Sequence, residues 1–328
     1  MNNTIYFRRL VRAGLLSVLI ALLSTCSEKE AEPKVAGAVK VFYDELFTIV
    51  EKNSINRRNI NWPDYRSKVL ARVGNAATVA ETHEAVRLAL SLLQDNHSFV
   101  GAPGNTYISG AGTGCGALSI LPEPTLPNIG YVRVNGFSGN EQAALELATA
   151  IQSAIQKQDT GTLKGWIVDL RYNTGGNMWP MVAGLGPLID EGVCGYFIGI
   201  DSQPVSAWSY AEGKSINGKT VIIQVAQPYQ LRKPNPKVAV LIGPATASSG
   251  EAATLAFVGR PQTRLFGSSS CGLSTANQTY TLSGGYQIYL TVAFMGDRTG
   301  KAYGKEIVPD VLTTNETTVG EAAKWIRE

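Results

Sequence analysis

The chain has 328 residues, 44% of them hydrophobic, and carries 29 basic against 26 acidic side chains, a formal net charge of +3. That length holds one large domain or two smaller ones, and the near-balanced charge leaves no basic domain for nucleic acid. With only two histidines, and cysteines in no zinc-like spacing, neither a metal site nor any cofactor is expected.

The first residues form an address rather than part of the fold. Arg8, Arg9 and Arg12 make a basic leader, Ala13 to Leu23 is a short apolar run, and Leu23-Ser24-Thr25-Cys26 resembles the lipobox of bacterial lipoproteins. The run is too short to span a bilayer, so residues 1–25 are expected to be a cleaved signal. A lipid on Cys26 would then hold the chain to a membrane, with 26–34 as a polar tether; the alternative is an ordinary secretory signal. The three leader arginines account for the whole basic excess. Of the remaining cysteines, Cys115, Cys194 and Cys271, two could pair in an oxidising compartment and one would stay a thiol.

Residues 35–100 are expected to be a helical subdomain. Val79, His83, Val86, Leu90 and Leu93 recur on one helical face, which assigns His83 to packing. Asp95-Asn96 ends that helix, and His97-Ser98 follows. A loop histidine there is a candidate general base, since its ordinary pKa lies near neutrality. Residues 101–116 form a glycine-rich connection. From 117 to 328 strands and helices alternate, the texture of an α/β domain with helices covering its sheet. Expected strands include ALSILP, IGYVRV, GWIVDLR, CGYFIGI, VIIQV, VAVLIG and YQIYLTVAF. Residues 141–157 and a segment ending at Leu188 are expected to be helices, and Thr318-x-x-Glu321 caps a last one.

Two phosphate-loop look-alikes fall away. GKSINGKT matches the nucleotide-loop pattern, but a strand follows it and Asn217-Gly218 marks a tight hairpin. Gly110-x-Gly112-x-Gly114 does not open a helix. The stronger signal is VAVLIGPATASSGEA, a buried strand, a small-residue turn and a helix opening at Ser248. A serine there is either a nucleophile beside oxyanion donors or, through Ser248-x-x-Glu251, a helix cap. In WIVDLRYNTGGN, paired glycines permit close backbone approach to a ligand.

KGWIVDLRYNTGGN, ATASSGEA, LFGSSSCG and GKEIVPDV, in this order, resemble the core of the C-terminal-processing (tail-specific) serine peptidases. The resemblance covers Ala117 to Leu312, and LLQDNHSF is similar to the tricorn-like branch. It implies a Clp/crotonase-like α/β core with a mixed sheet and flanking helices, preceded by the small helical subdomain. It implies Ser248 as nucleophile, with oxyanion donors at Ser249 and at Gly175-Gly176. The lysine base of the processing branch falls on Leu273, which cannot accept a proton; Lys301 or Lys305 would need unusual geometry. The tricorn-like pattern instead implies His97 as base and Glu306 as orienting acid, with Ser98 as an auxiliary. The spacing after His97 leaves no room for a PDZ domain. The expectation is a serine peptidase of the bacterial envelope acting on a peptide or protein. A non-catalytic binding module and an esterase remain alternatives on the same fold.

Overall fold

A computed structural model describes residues 37–112 and 114–328; the leader, Cys26 and the tether lie outside the described residues. Three helices come first, α1 (Gly37–Asn53), α2 (Trp62–Val73) and α3 (His83–Leu92). Asn61 caps α2 by accepting from Asp64 N–H, with Pro63 in the first turn where its missing N–H costs nothing. The glycine-rich connection then contributes a hairpin, β1 (Phe99–Ala102) and β2 (Thr106–Ser109). The apolar faces of the helices share one core with β1, β2 and later strands: Phe42, Phe47, Val86 and Leu90 pack with Val100, Ile108 and Ile288. His83 is partly buried at the start of α3, bonded through Nε2 to Tyr286 Oη at 3.1 Å.

The rest of the chain sorts its parallel and antiparallel strands into two sheets. The parallel sheet runs β13 (Val311–Leu312), β10 (Thr263–Gly267), β9 (Lys237–Ile242), β4 (Gly165–Asp169), β3 (Ile129–Arg133). Its strands are apolar at successive positions because both faces are covered. Val132, Trp166, Val168, Val240 and Ile242 face α4 (Glu141–Gln158), α5 (Met178–Ile189) and α6 (Ser249–Leu255). Tyr131, Ile167, Ala239 and Leu241 face α7 (Thr318–Arg327). The second sheet is antiparallel: β2-β1-β12-β5-β6-β7-β8, with β11 also on β12. Its later members are β5 (Gly192–Ile198), β6 (Pro204–Ala211), β7 (Lys214–Asn217), β8 (Thr220–Gln224), β11 (Thr275–Leu282) and β12 (Tyr286–Asp297).

GKSINGKT lies on β7, the Gly218 turn (φ 60°) and β8, so no helix follows it. ALSILP, expected as a strand, is irregular. Ile120 is 74% exposed, and the segment is held by side chains, Tyr172 Oη accepting from Leu121 N–H and Asn315 Nδ2 donating to Ser119 O. An apolar run forms a strand only where a sheet edge can receive it. Cys115 and Cys271 form a disulfide, and Cys194 is a buried free thiol. No PDZ module stands between β2 and β3 among the described residues.

Candidate active site

β9 is central in the parallel sheet, and its carboxyl end leads through a braced turn into α6. Thr246 Oγ1 donates to Leu170 O at 2.8 Å and accepts from Gly243 N–H at 3.0 Å. Ala247 N–H donates to Asn173 O at 2.9 Å, tying the turn to the one that leaves β4. Ser248 follows at φ 51°, ψ −113°, backbone that a residue with a side chain rarely adopts. Such strain costs about 1–3 kcal/mol and persists only where the surroundings impose it. Here Glu251 imposes it, its Oε2 accepting Ser248 N–H at 2.8 Å, the half of the capping box that meets hydrogen-bond geometry.

Glu251 is itself held. Its Oε1 accepts from Ser270 Oγ at 2.6 Å and Gly272 N–H at 2.9 Å. The residue is fully buried, and burial pushes its carboxyl up to about 7 despite those donors. Sequence reasoning saw Glu251 only as a cap; nothing local showed that a loop 20 residues on would enclose it.

The glycine turn after β4 meets the serine turn. A Cβ on Gly175 (φ 105°) would lie 3.0 Å from Ser248 Cβ and 3.5 Å from its Oγ, so only a glycine lets this backbone come so close. Gly175 N–H is engaged by Asn173 Oδ1 at 3.0 Å, which removes it as a free donor. Gly176 N–H and Ser249 N–H have no hydrogen-bond partner among the described residues, and both residues line the cavity in front of Ser248. Ser249 Oγ donates to Gly176 O at 2.5 Å, clamping the two turns together.

His97 enters from the first subdomain. Asp95 Oδ1 accepts from the amides of His97 (2.9 Å) and Ser98 (2.7 Å), fixing the turn after α3. Ser98 turns inward: its Oγ donates to Asp95 Oδ2 at 2.6 Å and accepts Thr291 N–H at 2.9 Å, so it braces the turn and does not line the cavity. His97 Nδ1 is 2.7 Å from Thr275 Oγ1, at the start of β11. Burial lowers the imidazole to about 4, with Asp95 opposing, so the ring is neutral at neutral pH.

His97, Thr275, Ser248, Ser249 and Gly176 line one cavity of about 1220 Å³. His97 and Ser248 face it without a direct hydrogen bond between them. Glu306 is not there. It is exposed and, with Lys301 and Lys305, lines a separate cavity of about 840 Å³. Val292, Ala293 and Met295 of β12 line the serine cavity, whereas Phe294 lines the other. The position at His97 Nδ1 belongs to Thr275, a residue the sequence reading missed. The available signal was the threonine-rich run TANQTYTL before β12.

Residues 128–313 match peptidase family S41. The chain is 31% identical over 268 residues to the nisin-resistance protein of Lactococcus lactis subsp. lactis, covering 81% of this chain and 80% of that protein. Among solved structures it is similar to a lipoprotein from Streptococcus agalactiae, with TM-score 0.71, 22% identity, and 88% and 96% of the two chains covered. It is also similar to the photosystem II D1 C-terminal processing protease, with TM-score 0.58, 16% identity, and 88% and 97% covered. A parallel sheet with a serine turn at the end of its central strand is thus the core of a known peptidase class. The chain belongs to peptidase family S41.

Proposed function

We propose that the protein is a serine-type peptidase with Ser248 as nucleophile and His97 as base. The observation that carries this reading is the shared cavity, which gathers a strained serine, a neutral histidine and two unpaired amides. In the base-competent tautomer His97 Nδ1–H donates to Thr275, leaving the Nε2 lone pair for the serine proton. Ser248 Oγ bonds to the carbonyl carbon, and Gly176 N–H and Ser249 N–H receive the oxyanion. His97 passes its proton to the leaving amine as the C–N bond breaks. Water then enters, gives a proton to His97 and displaces the acid, and the proton returns to Ser248. Contacts between base and nucleophile often tighten only with substrate bound. Glu306, expected as the orienting acid, has no part, and neither lysine near it reaches this cavity.

The expected outcome is labelling of the wild type by a fluorophosphonate, with Ser248→Ala unlabelled and His97→Ala slowed at least a hundredfold. Labelling of Ser248→Ala at the wild-type rate would overturn the nucleophile. A panel of peptides and simple esters separates peptidase from esterase, and nisin belongs in it because of the relative's name. An unreactive Ser248 with a copurifying apolar ligand would favour a binding module instead. The leader and the similarity to a lipoprotein support an envelope location with Cys26 as anchor.

A further inference from the structure

The turn that carries His97 is strained. Gln94 (φ 57°) and Asn96 (φ 56°) both take left-handed backbone that a side chain disfavours. Such a conformation persists only where its surroundings impose it. Part of the hold comes from the helical subdomain itself. Asn56 Nδ2 donates to Leu93 O at 2.9 Å and to Gln94 O at 3.1 Å, and Asp95 accepts the amides of His97 and Ser98. The core adds one bond to the main chain. Asn277 of β11, two residues beyond Thr275, donates from Nδ2 to His97 O at 3.0 Å. Among the described residues no other core group bonds the main chain of residues 93–97.

A break in the sheet aims that amide. Ala276 pairs with Ala293 but Asn277 pairs with Thr291, so Val292 is an extra residue on β12. In an unbroken ladder Asn277 would stand opposite Val292, whose side chain has no polar atom. The bulge brings Thr291 there instead, and Thr291 Oγ1 donates to Asn277 Oδ1 at 2.9 Å. Bulges beside active sites commonly re-aim a side chain in this way. The partners decide the amide's orientation. Turned over, it would set its oxygen against the His97 carbonyl, two acceptors with no proton between them. Thr291 N–H donates in turn to Ser98 Oγ at 2.9 Å, so His97, Asn277, Thr291 and Ser98 close a ring. Thr291 and Ser98 are buried, where water does not compete for their bonds.

We propose that Asn277 is a positioning residue for the base: its side-chain amide, aimed by the bulge and fixed by Thr291, holds the main chain of His97 at the depth from which the ring serves Ser248. His97 and Ser248 share no direct hydrogen bond, so the place of the ring is set by its anchors. Thr275 fixes the rotation of the imidazole, and Asn277 fixes the backbone from which it projects. A displacement of about 1 Å at a reacting group lowers a rate by about a hundredfold. The proposal rests on the peptidase reading and adds to it the residue that docks the base of the helical subdomain onto the core.

The measurement is the rate at which a fluorophosphonate labels the full chain, because that reaction uses Ser248 and its base but no peptide subsite. Asn277→Leu keeps the size of the side chain and loses both of its hydrogen bonds. Its labelling rate is expected to fall roughly tenfold or more, and Asn277→Gln, which keeps both polar groups, is expected to recover part of the loss. In a His97→Ala background Asn277→Leu is expected to change nothing further, since a residue that acts through the base has nothing left to act on. Wild-type labelling of Asn277→Leu would overturn the clamp. So would an equal loss with and without His97, which would make Asn277 a structural or a substrate-contacting residue. Where Asn277→Leu fails to fold, Thr291→Val decides, because it leaves Asn277 in place and frees its amide. Slower labelling by a chain that still melts cooperatively is expected, and wild-type labelling would again overturn the clamp. Labelling of His97→Ala at the wild-type rate would sink the base assignment itself, so the two failures are distinct.

Discussion

Thr275, Glu251 and His97 show how little of a side chain's behaviour is its own. A threonine hydroxyl on Nδ1 orients the ring without adding a charge, and the expected effect of Thr275→Val is a fall in kcat of roughly tenfold with KM little changed. A fall in KM affinity with kcat intact would make Thr275 a binding residue instead. Burial drives the two titrating groups in opposite directions. His97 is lowered from 6.5 to about 4, so its stabilising effect is complete above pH 6.5 and is lost as pH falls through 4. Glu251 is raised from 4.5 to about 7, so its effect is complete below 4.5 and is lost as pH rises through 7. Between them the slopes oppose. Thermal melts of His97→Ala are expected to show stability falling as pH rises from 4.5 to 7. Glu251→Gln is expected to show the reverse slope between 4 and 6.5. Identical profiles for both variants would refute the opposition.

Among the elements, the loop from Ser268 to Ser274 bears more of the site than its length suggests. Ser270 and Gly272 hold Glu251, Cys271 N–H donates to Thr246 O at 2.9 Å, and the Cys271 sulfur is bonded to Cys115. The disulfide ties this loop to a segment 156 residues earlier. Closing so long a loop stabilises by up to about 5 kcal/mol in the chain-entropy picture. A Cys115→Ser, Cys271→Ser double variant is expected to melt several degrees lower and to take the fluorophosphonate more slowly. Melting would report the tether and labelling would report the loop's hold on Glu251. Labelling at the wild-type rate would show that the hydrogen bonds suffice without the disulfide.

For the molecule as a whole, the first helices and the core supply different parts of one site. Asp95 and His97 follow α3, whereas Ser248, the glycine turn and Thr275 belong to the core. The helices pack on β12, the strand that also pairs with β11, and so the histidine is delivered beside its threonine. Location belongs to this scale too. Cells fed a fatty-acid analogue are expected to label the wild-type chain and not Cys26→Ala, with the variant released from the membrane fraction. Equal membrane retention of both would exclude the anchor.

Local physics made the elements legible in the sequence. Asn217-Gly218 had to turn a hairpin. VAVLIG had to be a buried strand ending at a serine turn. The family motifs, set in order along the chain, likewise specified the core. ALSILP misled because an apolar run is only a preference and a strand also needs a partner edge. The partners of the proposed reactive groups were tertiary facts. Thr275 lies 178 residues from His97, and Glu251 becomes buried only when the Ser270 loop closes over it. Glu306 had the right chemistry and lines a different cavity. Sequence spacing determines which side of a strand or helix a residue occupies, because those periods are local. Which residue waits across the gap depends on the packing of sheets and helices, and the folded chain alone decided that.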